Sequence, residues 1–144
     1  MTGIHWRAVL APLGQPTVPA QDRRTLLPRF ALSFIPPVPL TYGGPATGPI
    51  ILGAVTMAAI DAGDAGSLVA AGTLDPDTPA EIVDAMRDGH LVPGFDLIEM
   101  SVMVDDDGSV DIYAGRLSKV VARPVDVALW PGVVRFEISR RHPA

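Results

Sequence analysis

The strongest candidate for covalent chemistry in this sequence is a serine, Ser101. It lies within the stretch IEMSVMVDDDG at 98–108, where an apolar residue occupies every second position from Ile98 to Val104. This two-residue period is typical of a half-buried strand, so the side chain of Ser101 is expected on the face opposite the apolar row. A serine nucleophile needs a base within hydrogen-bond reach, usually a histidine held by a third group. No spacing in the sequence identifies such a base, so Ser101 is either a nucleophile or a small polar residue on a strand.

The other residues that could do chemistry form no metal or cofactor motif. The three histidines, His5, His90 and His142, are far apart, and none has the spacing of a ligand pair. The aspartates at 105–107, followed by Gly108, match part of a calcium loop but lack its twelve-residue ligand pattern. The glycines form neither a phosphate loop nor a dinucleotide fingerprint, and the chain has no cysteine. We therefore expect no metal and no cofactor, and we interpret the acidic run as a solvated hairpin turn.

Length and composition predict a single globular domain spanning residues 1–144. The chain is 48% hydrophobic but only 6% aromatic, which indicates a core built mainly from aliphatic side chains. No apolar run reaches about 18 residues, and the first residues do not have the pattern of a signal peptide. We therefore expect neither a membrane partner nor export.

Charge is distributed unevenly along the chain. Residues 61–111 contain thirteen acidic residues and one base, Arg87, whereas the flanking segments are mainly basic. Opposite-sign patches of this kind could bind further copies of the chain or an assembled lattice, and a solvated acidic face explains the pattern equally well. The net charge of −5 and the lack of a basic run with interleaved aromatic residues argue against nucleic-acid binding.

The hydrophobic pattern predicts an α+β fold: a mainly antiparallel, barrel-like β domain with one principal helix. Strands are expected at 4–11, 50–60, 67–74, 98–104, 110–114, 116–123 and 133–138. A turn-forming DAGDAG segment joins the second and third of these strands, which are therefore expected to form a hairpin.

The principal helix is expected at about 78–89. Thr78 has the properties of an N-cap, and Glu81 completes a capping box with it. Apolar residues spaced four apart form the stripe that packs against the core, and Gly89 is a typical helix stop.

A Pro/Gly-rich arm or loop is expected at about 12–49, with one strand around 30–34. Pro36, Pro37 and Pro39 favour an extended, polyproline-like path, and we expect that this path cannot join a central sheet ladder. The arm is interpreted either as a surface loop or as an arm that contacts a lattice.

Several segments, taken in order, carry a likeness to a known family. They are WRAVLAPLGQPT at 6–17, IILGAV at 50–55, VAAGTLD at 69–75, DTPAEIVDAMRDGHLVPGFDLIEMSVMVDDD at 77–107 and GRLSKVVARPVDVAL at 115–129. This arrangement resembles the capsid maturation, or prohead, proteases of tailed phages, whose fold is akin to that of the herpesvirus assembly protease. The fourth segment is the strongest match, because it is similar to the family's helix, glycine stop and serine strand.

The resemblance implies that Ser101 occupies the position of the family's nucleophile. The family's histidine normally lies just before the strand that corresponds to 50–55, and here that stretch reads TYGGPATGPIILGAV, without a histidine. Thr47 cannot accept a proton in its place, and a triad without its base typically loses several orders of magnitude in rate. His5 or His90 could replace it only if folding brought one of them beside Ser101. We therefore interpret Ser101 as a relic of a catalytic site.

The sequence thus favours a pseudoenzyme: a bacteriophage virion protein, such as a minor capsid or decoration protein, built on an inactive prohead protease-like fold. The resemblance implies the major capsid protein lattice as partner, leaves self-association open, and places the chain in the virion after synthesis in the host cytoplasm. The alternative is an active serine endopeptidase that processes scaffold and capsid precursors, or a transient factor in viral assembly. Exposure and charge point to these contact residues: Pro36, Pro37, Tyr42, Arg140 and Arg141.

Overall fold

The computed structural model describes residues 3–17, 23–44, 48–63 and 66–141. Within these residues the chain forms eight strands, one α-helix and a short 3-10 helix at Val125–Val127, so the expected α+β class with one principal helix is confirmed. In chain order the main elements are β1 (Gly3–Pro12), β2 (Arg24–Ser33), β3 (Val38–Gly44), β4 (Gly48–Asp61), β5 (Ser67–Leu74), α1 (Ala80–Arg87), β6 (Leu91–Val104), β7 (Val110–Pro124) and β8 (Arg135–Arg141).

The eight strands form one sheet, in which β7 pairs with three other strands, β2, β3 and β6. Along one edge, β7 pairs in parallel with β2 through its first half and with β3 through its second half. Along its other edge it pairs with β6 in antiparallel fashion. Antiparallel pairs then continue from β3 through β4, β5 and β1 to β8.

The sheet is open, which differs from the barrel-like arrangement that the sequence led us to expect. Among the described residues, β6 pairs with β7 alone and β8 with β1 alone, so these two edge strands do not join each other. Side-chain packing connects them instead, because β6 contacts β1 and β8, and α1 packs against both β6 and β8. Contacts of this kind hold the two edges near each other without the hydrogen-bonded ladder that closes a barrel.

Aliphatic side chains fill most of the core, as the composition predicts. Leu10, Leu40 and Leu117 are fully buried, and they come from strands that are far apart in the sequence. Trp6 adds an aromatic contact, since its ring meets that of Phe136 edge-on with centroids 5.9 Å apart. Burying a leucine side chain stabilises the fold by about 1.5–3 kcal/mol, so this shared core holds β1, β3 and β7 together.

The hairpin expected at 50–60 and 67–74 is confirmed as β4 and β5. Its two strands approach so closely at Gly72 that a Cβ there would overlap the backbone carbonyl of Ala54. A Cβ on Gly53 would overlap the carbonyl of Thr73 in the same way. Glycine is therefore required at both positions by the close approach of the two backbones.

The start of α1 differs from the prediction. Pro79 rather than Thr78 is the N-cap, and no side chain caps the first turn. The hydroxyl of Thr78 instead donates to the carbonyl oxygen of Leu52 at 2.9 Å, which ties the helix start to β4. The capping box that we expected between Thr78 and Glu81 therefore does not form.

The end of α1 agrees with the prediction. Gly89 has a φ of 83°, and the following backbone N–H, that of His90, donates to the carbonyl oxygen of Ala85 at 2.9 Å. Val83 and Met86 are the buried residues of the helix. No helix in the described part of the chain has the length and apolarity needed to cross a membrane.

The arm expected at about 12–49 is built into the sheet, because its described residues include β2 and β3. Pro39 lies in β3 and pairs with Ala54, so the prediction that these prolines stay out of a sheet ladder is wrong for Pro39, whereas Pro36 and Pro37 lie outside the strands. The parallel pairing of β3 with β7 begins one residue later, at Leu40. The N–H that Pro39 lacks is therefore not needed on that side.

Several strand boundaries also differ from the prediction. The strand expected at 98–104 begins seven positions earlier, as β6. The strand expected around 30–34 begins six positions earlier, as β2. The strands expected at 110–114 and 116–123 are one continuous strand, β7, because β6 pairs along its whole length. The last strand, expected at 133–138, begins and ends later, as β8.

Candidate functional site

The strand β6 divides into a buried half and an exposed half. Leu91, Val92 and Pro93 are buried, whereas every residue from Ile98 to Val104 is exposed. The strand predicted at 98–104 is therefore confirmed, but the prediction that one of its faces is buried is wrong.

Backbone irregularity around Glu99 explains this difference. Glu99 has a φ of 53°, a left-handed conformation that is unusual for a residue other than glycine. The register of β6 with β7 shifts between Ile98 and Ser101, and again between Ser101 and Val102. Such bulges disrupt the ladder locally and bend the strand, and the residues beyond them are exposed on both faces.

The exposed half of β6 carries five large apolar side chains, which we name the apolar strip. Their exposed fractions lie between 41% and 63%. They are Ile98, Met100, Val102, Met103 and Val104. Scattered exposed apolar residues are ordinary on protein surfaces, but a contiguous patch typically marks a binding surface.

The apolar strip has two sides. Val102 lies directly opposite Ile112 on β7, and cross-strand partners share one face of a sheet. Ile98 and Met100 line the same cleft as Ile112, which places them on this face as well. Met103 follows Val102 directly and pairs with Asp111. Because successive side chains in a strand point to opposite faces, Met103 lies on the opposite face from Val102.

Ser101 is exposed and lies opposite Ala114 on β7. Its hydroxyl forms no hydrogen bond within the described part of the chain. His90 directly precedes β6, at the other end of the strand, so about 35 Å of extended backbone separates it from Ser101. His5 lies in β1, which is separated from β7 by β3, β4 and β5 in the sheet order. Neither histidine is hydrogen-bonded to Ser101, whereas Thr47 and His142 lie outside the described residues.

A cleft of about 540 Å³ opens beside the apolar strip. Its lining includes Leu97 and Met100 from β6, Ile112 from β7 and Leu26 from β2. Clefts of this size with mainly apolar walls are typical of binding sites for small molecules or for inserted side chains.

Two stacked aromatic rings line this cleft. Phe95 stacks on Trp130 with ring centroids 6.2 Å apart and planes 7° from parallel. The indole N–H of Trp130 donates to the carbonyl oxygen of Gln15 at 2.9 Å, which fixes the ring in place. Neither residue was a candidate in the sequence, where the WPG segment at 130–132 lies between two predicted strands. The presence of a tryptophan beside a Pro-Gly turn was the one available signal.

An acidic turn, Asp105–Gly108, follows the apolar strip and leads into β7. The Ser109 hydroxyl donates to the carboxylate of Asp107 at 2.6 Å and to that of Asp105 at 3.1 Å. These hydrogen bonds from Ser109, first through its hydroxyl and then through its backbone N–H, hold the pKa of Asp107 below its ordinary value. The interpretation of this run as a hairpin turn is confirmed, and the lowered pKa of Asp107 favours its ionised carboxylate.

Acidic and basic residues are interleaved where β6 pairs with β7. Arg116 binds the carboxylate of Glu99 at 2.7 Å, and Lys119 binds that of Asp96 at 3.3 Å. The acidic middle of the sequence is therefore partly neutralised by the basic segment that follows it. The carboxylates of the acidic turn form no ion pair within the described residues, so this turn is a local concentration of negative charge.

The predicted contact residues lie apart from the apolar strip in the sheet. Pro36 and Pro37 are exposed in the connection between β2 and β3. Tyr42 is half-buried in β3 and packs against the core. The backbones of Arg140 and Arg141 belong to β8 and pair with β1, whereas their side chains lie outside the described part.

In the described part of the chain, no group of three or more His, Asp or Glu residues is placed to hold a metal ion. Comparison with protein-family models, with curated proteins and with solved structures finds no match. The site is therefore defined by its own geometry: an apolar strip on an edge strand, a cleft walled by two aromatic rings, and an acidic turn beside them.

Proposed function

We propose that this chain is a non-catalytic structural protein of a phage virion, a minor capsid or decoration protein that attaches to the major capsid lattice. On this proposal the fold is prohead protease-like, and Ser101 is a relic. The apolar strip on β6 is the single observation that carries the binding role, because five exposed apolar side chains on one edge strand favour a covered surface.

The surroundings of Ser101 support a role without catalysis. Its hydroxyl is exposed and forms no hydrogen bond within the described residues, and the backbone register is irregular on both sides of it. A catalytic serine needs a base within about 3 Å and a rigid strand or turn to hold it. The histidine that the resemblance calls for is missing from the sequence.

Quantitative mass spectrometry of purified mature particles tests the structural role. We expect many intact copies of this chain per particle, measured against the major capsid protein. A few copies or none would contradict the proposal and favour a transient assembly factor.

A Ser101→Ala variant tests the loss of catalysis. We expect capsid precursors to be processed normally in this variant, because no described group activates the hydroxyl. Ser139→Ala is the matched control, since Ser139 is also an exposed serine on a strand. Uncleaved precursor in Ser101→Ala but not in Ser139→Ala would contradict the proposal and identify an active endopeptidase.

A further inference from the structure

One backbone edge of β6 has no partner in the exposed half of the strand. β7 pairs with one edge of β6, and no described strand pairs with the other. Unpaired strand edges with apolar side chains are prone to pair with other chains, and proteins usually blunt or cover them. The bulges around Glu99 disrupt this edge in part. Val102 to Val104 pair regularly with β7, so the backbone groups on their other edge are regularly spaced and unpaired among the described strands.

The cleft lies on the same face as most of the apolar strip. A strand added along Val102 to Val104 would place alternate side chains on that face, beside Val102 and towards Met100, which lines the cleft. Main-chain hydrogen bonds along an edge, combined with pockets for alternate side chains, are the usual means by which sheets bind extended peptides.

Charge argues against a second copy of this chain as the added strand. In an antiparallel pairing of two β6 edges centred on Val102 and Met103, Asp106 of each copy would lie beside Glu99 of the other. In a parallel pairing, the two acidic turns would lie side by side. Like charges directly opposite each other destabilise a strand pair, so both arrangements are disfavoured.

We infer that the free edge of β6 binds an extended segment of a different polypeptide, apolar at alternate positions and carrying Lys or Arg where it passes the acidic turn. This inference rests on the proposed function, on which the segment belongs to a shell protein. Arg23 is close enough to contribute to the lowered pKa of Asp107, but it approaches the acidic turn from the β2 side of β7 and leaves the β6 side open to a partner. Two strand spacings, about 10 Å, separate the β2 side from the free edge.

Two peptides test the charge preference. Both are capped at their ends and alternate Val and Thr over six residues; one has two Lys at each end and the other has two Glu at each end. We expect the Lys peptide to bind at least about fivefold more tightly at low salt, as two exposed ion pairs would give. The difference should shrink as salt is added, because exposed charges are screened. Binding is followed by the fluorescence of Trp130 and by amide shifts along β6.

Two variants locate the binding face. Met100→Glu adds a charge on the cleft face of β6, and Met103→Glu adds the same charge on the opposite face. Both methionines are about half exposed, so neither change disturbs the core. We expect Met100→Glu to weaken binding of the Lys peptide about tenfold and Met103→Glu to change it by less than about threefold.

Four outcomes overturn the inference: equal affinity for the two peptides, no binding of either peptide, equal effects of the two variants, or a wild-type dimer that Met100→Glu dissociates. The last would identify a second copy as the occupant. Incorporation of each variant into particles separates this inference from the proposed function. Normal copy number for Met100→Glu would refute the edge as the shell contact while leaving the structural role intact. Absence of the wild-type chain from particles would refute the structural role, whatever the peptides show.

Discussion

Replacing Trp130 by Phe should destabilise the protein by about 2 kcal/mol. The indole N–H donates to the carbonyl oxygen of Gln15 at 2.9 Å, and a hydrogen bond of this kind contributes about 1 kcal/mol. Trp130 is also 7% exposed, so the smaller ring leaves part of its site empty, at a cost of about another 1 kcal/mol. Replacement by Ala should cost about 4 kcal/mol, because it also removes the stack on Phe95.

Urea unfolding at equilibrium measures these differences, with the fluorescence of the remaining tryptophan, Trp6, as the probe. Leu129→Ala is the control, because Leu129 lines the same cleft but is 38% exposed, and we expect it to cost less than about 1 kcal/mol. A free energy of unfolding for Trp130→Phe within about 0.5 kcal/mol of wild type, with an unchanged m-value, would refute the reasoning. The aromatic wall would then not be fixed by the hydrogen bond to Gln15.

Two further predictions concern the sheet and the acidic turn. Gly72→Ala should destabilise the protein by about 3 kcal/mol or more in urea unfolding, since the new Cβ would overlap the carbonyl of Ala54. Gly43→Ala is the control and should change stability by less than about 0.5 kcal/mol, because its Cβ would meet nothing within 4 Å. Equal effects of the two substitutions would contradict this prediction. Ser109→Ala should raise the pKa of Asp107 towards its ordinary value in a carboxyl NMR titration. Because the pKa of Asp107 is lowered in the folded state, the stability that Asp107 contributes is present above about pH 4 and is lost as the pH falls through the folded pKa. An unshifted titration of Asp107 in Ser109→Ala would exclude the Ser109 hydroxyl as the cause of the lowered pKa.

Local sequence signals predicted the elements whose conformation is set by near neighbours. Gly89 ends α1 as expected, because the left-handed conformation after a helix depends on the residue itself. The hairpin of β4 and β5 was equally predictable, since a turn-rich segment joins two apolar runs.

Long-range contacts overrode local signals elsewhere. Thr78 has the sequence context of an N-cap, but its hydroxyl donates to Leu52, a residue on a strand that the capping pattern cannot include. Pro39 is a poor strand residue in isolation, yet it lies in β3 because its missing N–H falls before the pairing with β7 begins. Neither partner can be identified from the residues beside Thr78 or Pro39 in the sequence.

The candidate site was predictable only in part. The sequence identified the strand of Ser101 and the acidic turn after it, but it assigned the apolar row to the core. The reason is the positive φ of Glu99 and the bulges around it, which no alternation of residue types reveals. The Phe95–Trp130 stack joins two segments through tertiary packing alone, so it could not be predicted.

The position of β7 has a consequence for how the chain folds. β2 and β3 both pair in parallel with β7. The β3–β7 ladder, in which Leu40 pairs with Val120, therefore cannot form until the β7 segment has been synthesised. Chains dominated by such distant pairings fold slowly, because loop-closure entropy is lost before the contacts compensate for it. During synthesis the β3, β4 and β5 segments leave the ribosome well before β7, with one edge of β3 unpaired. A nascent chain in this condition has an exposed strand edge and is a substrate for chaperones or for aggregation until β7 arrives.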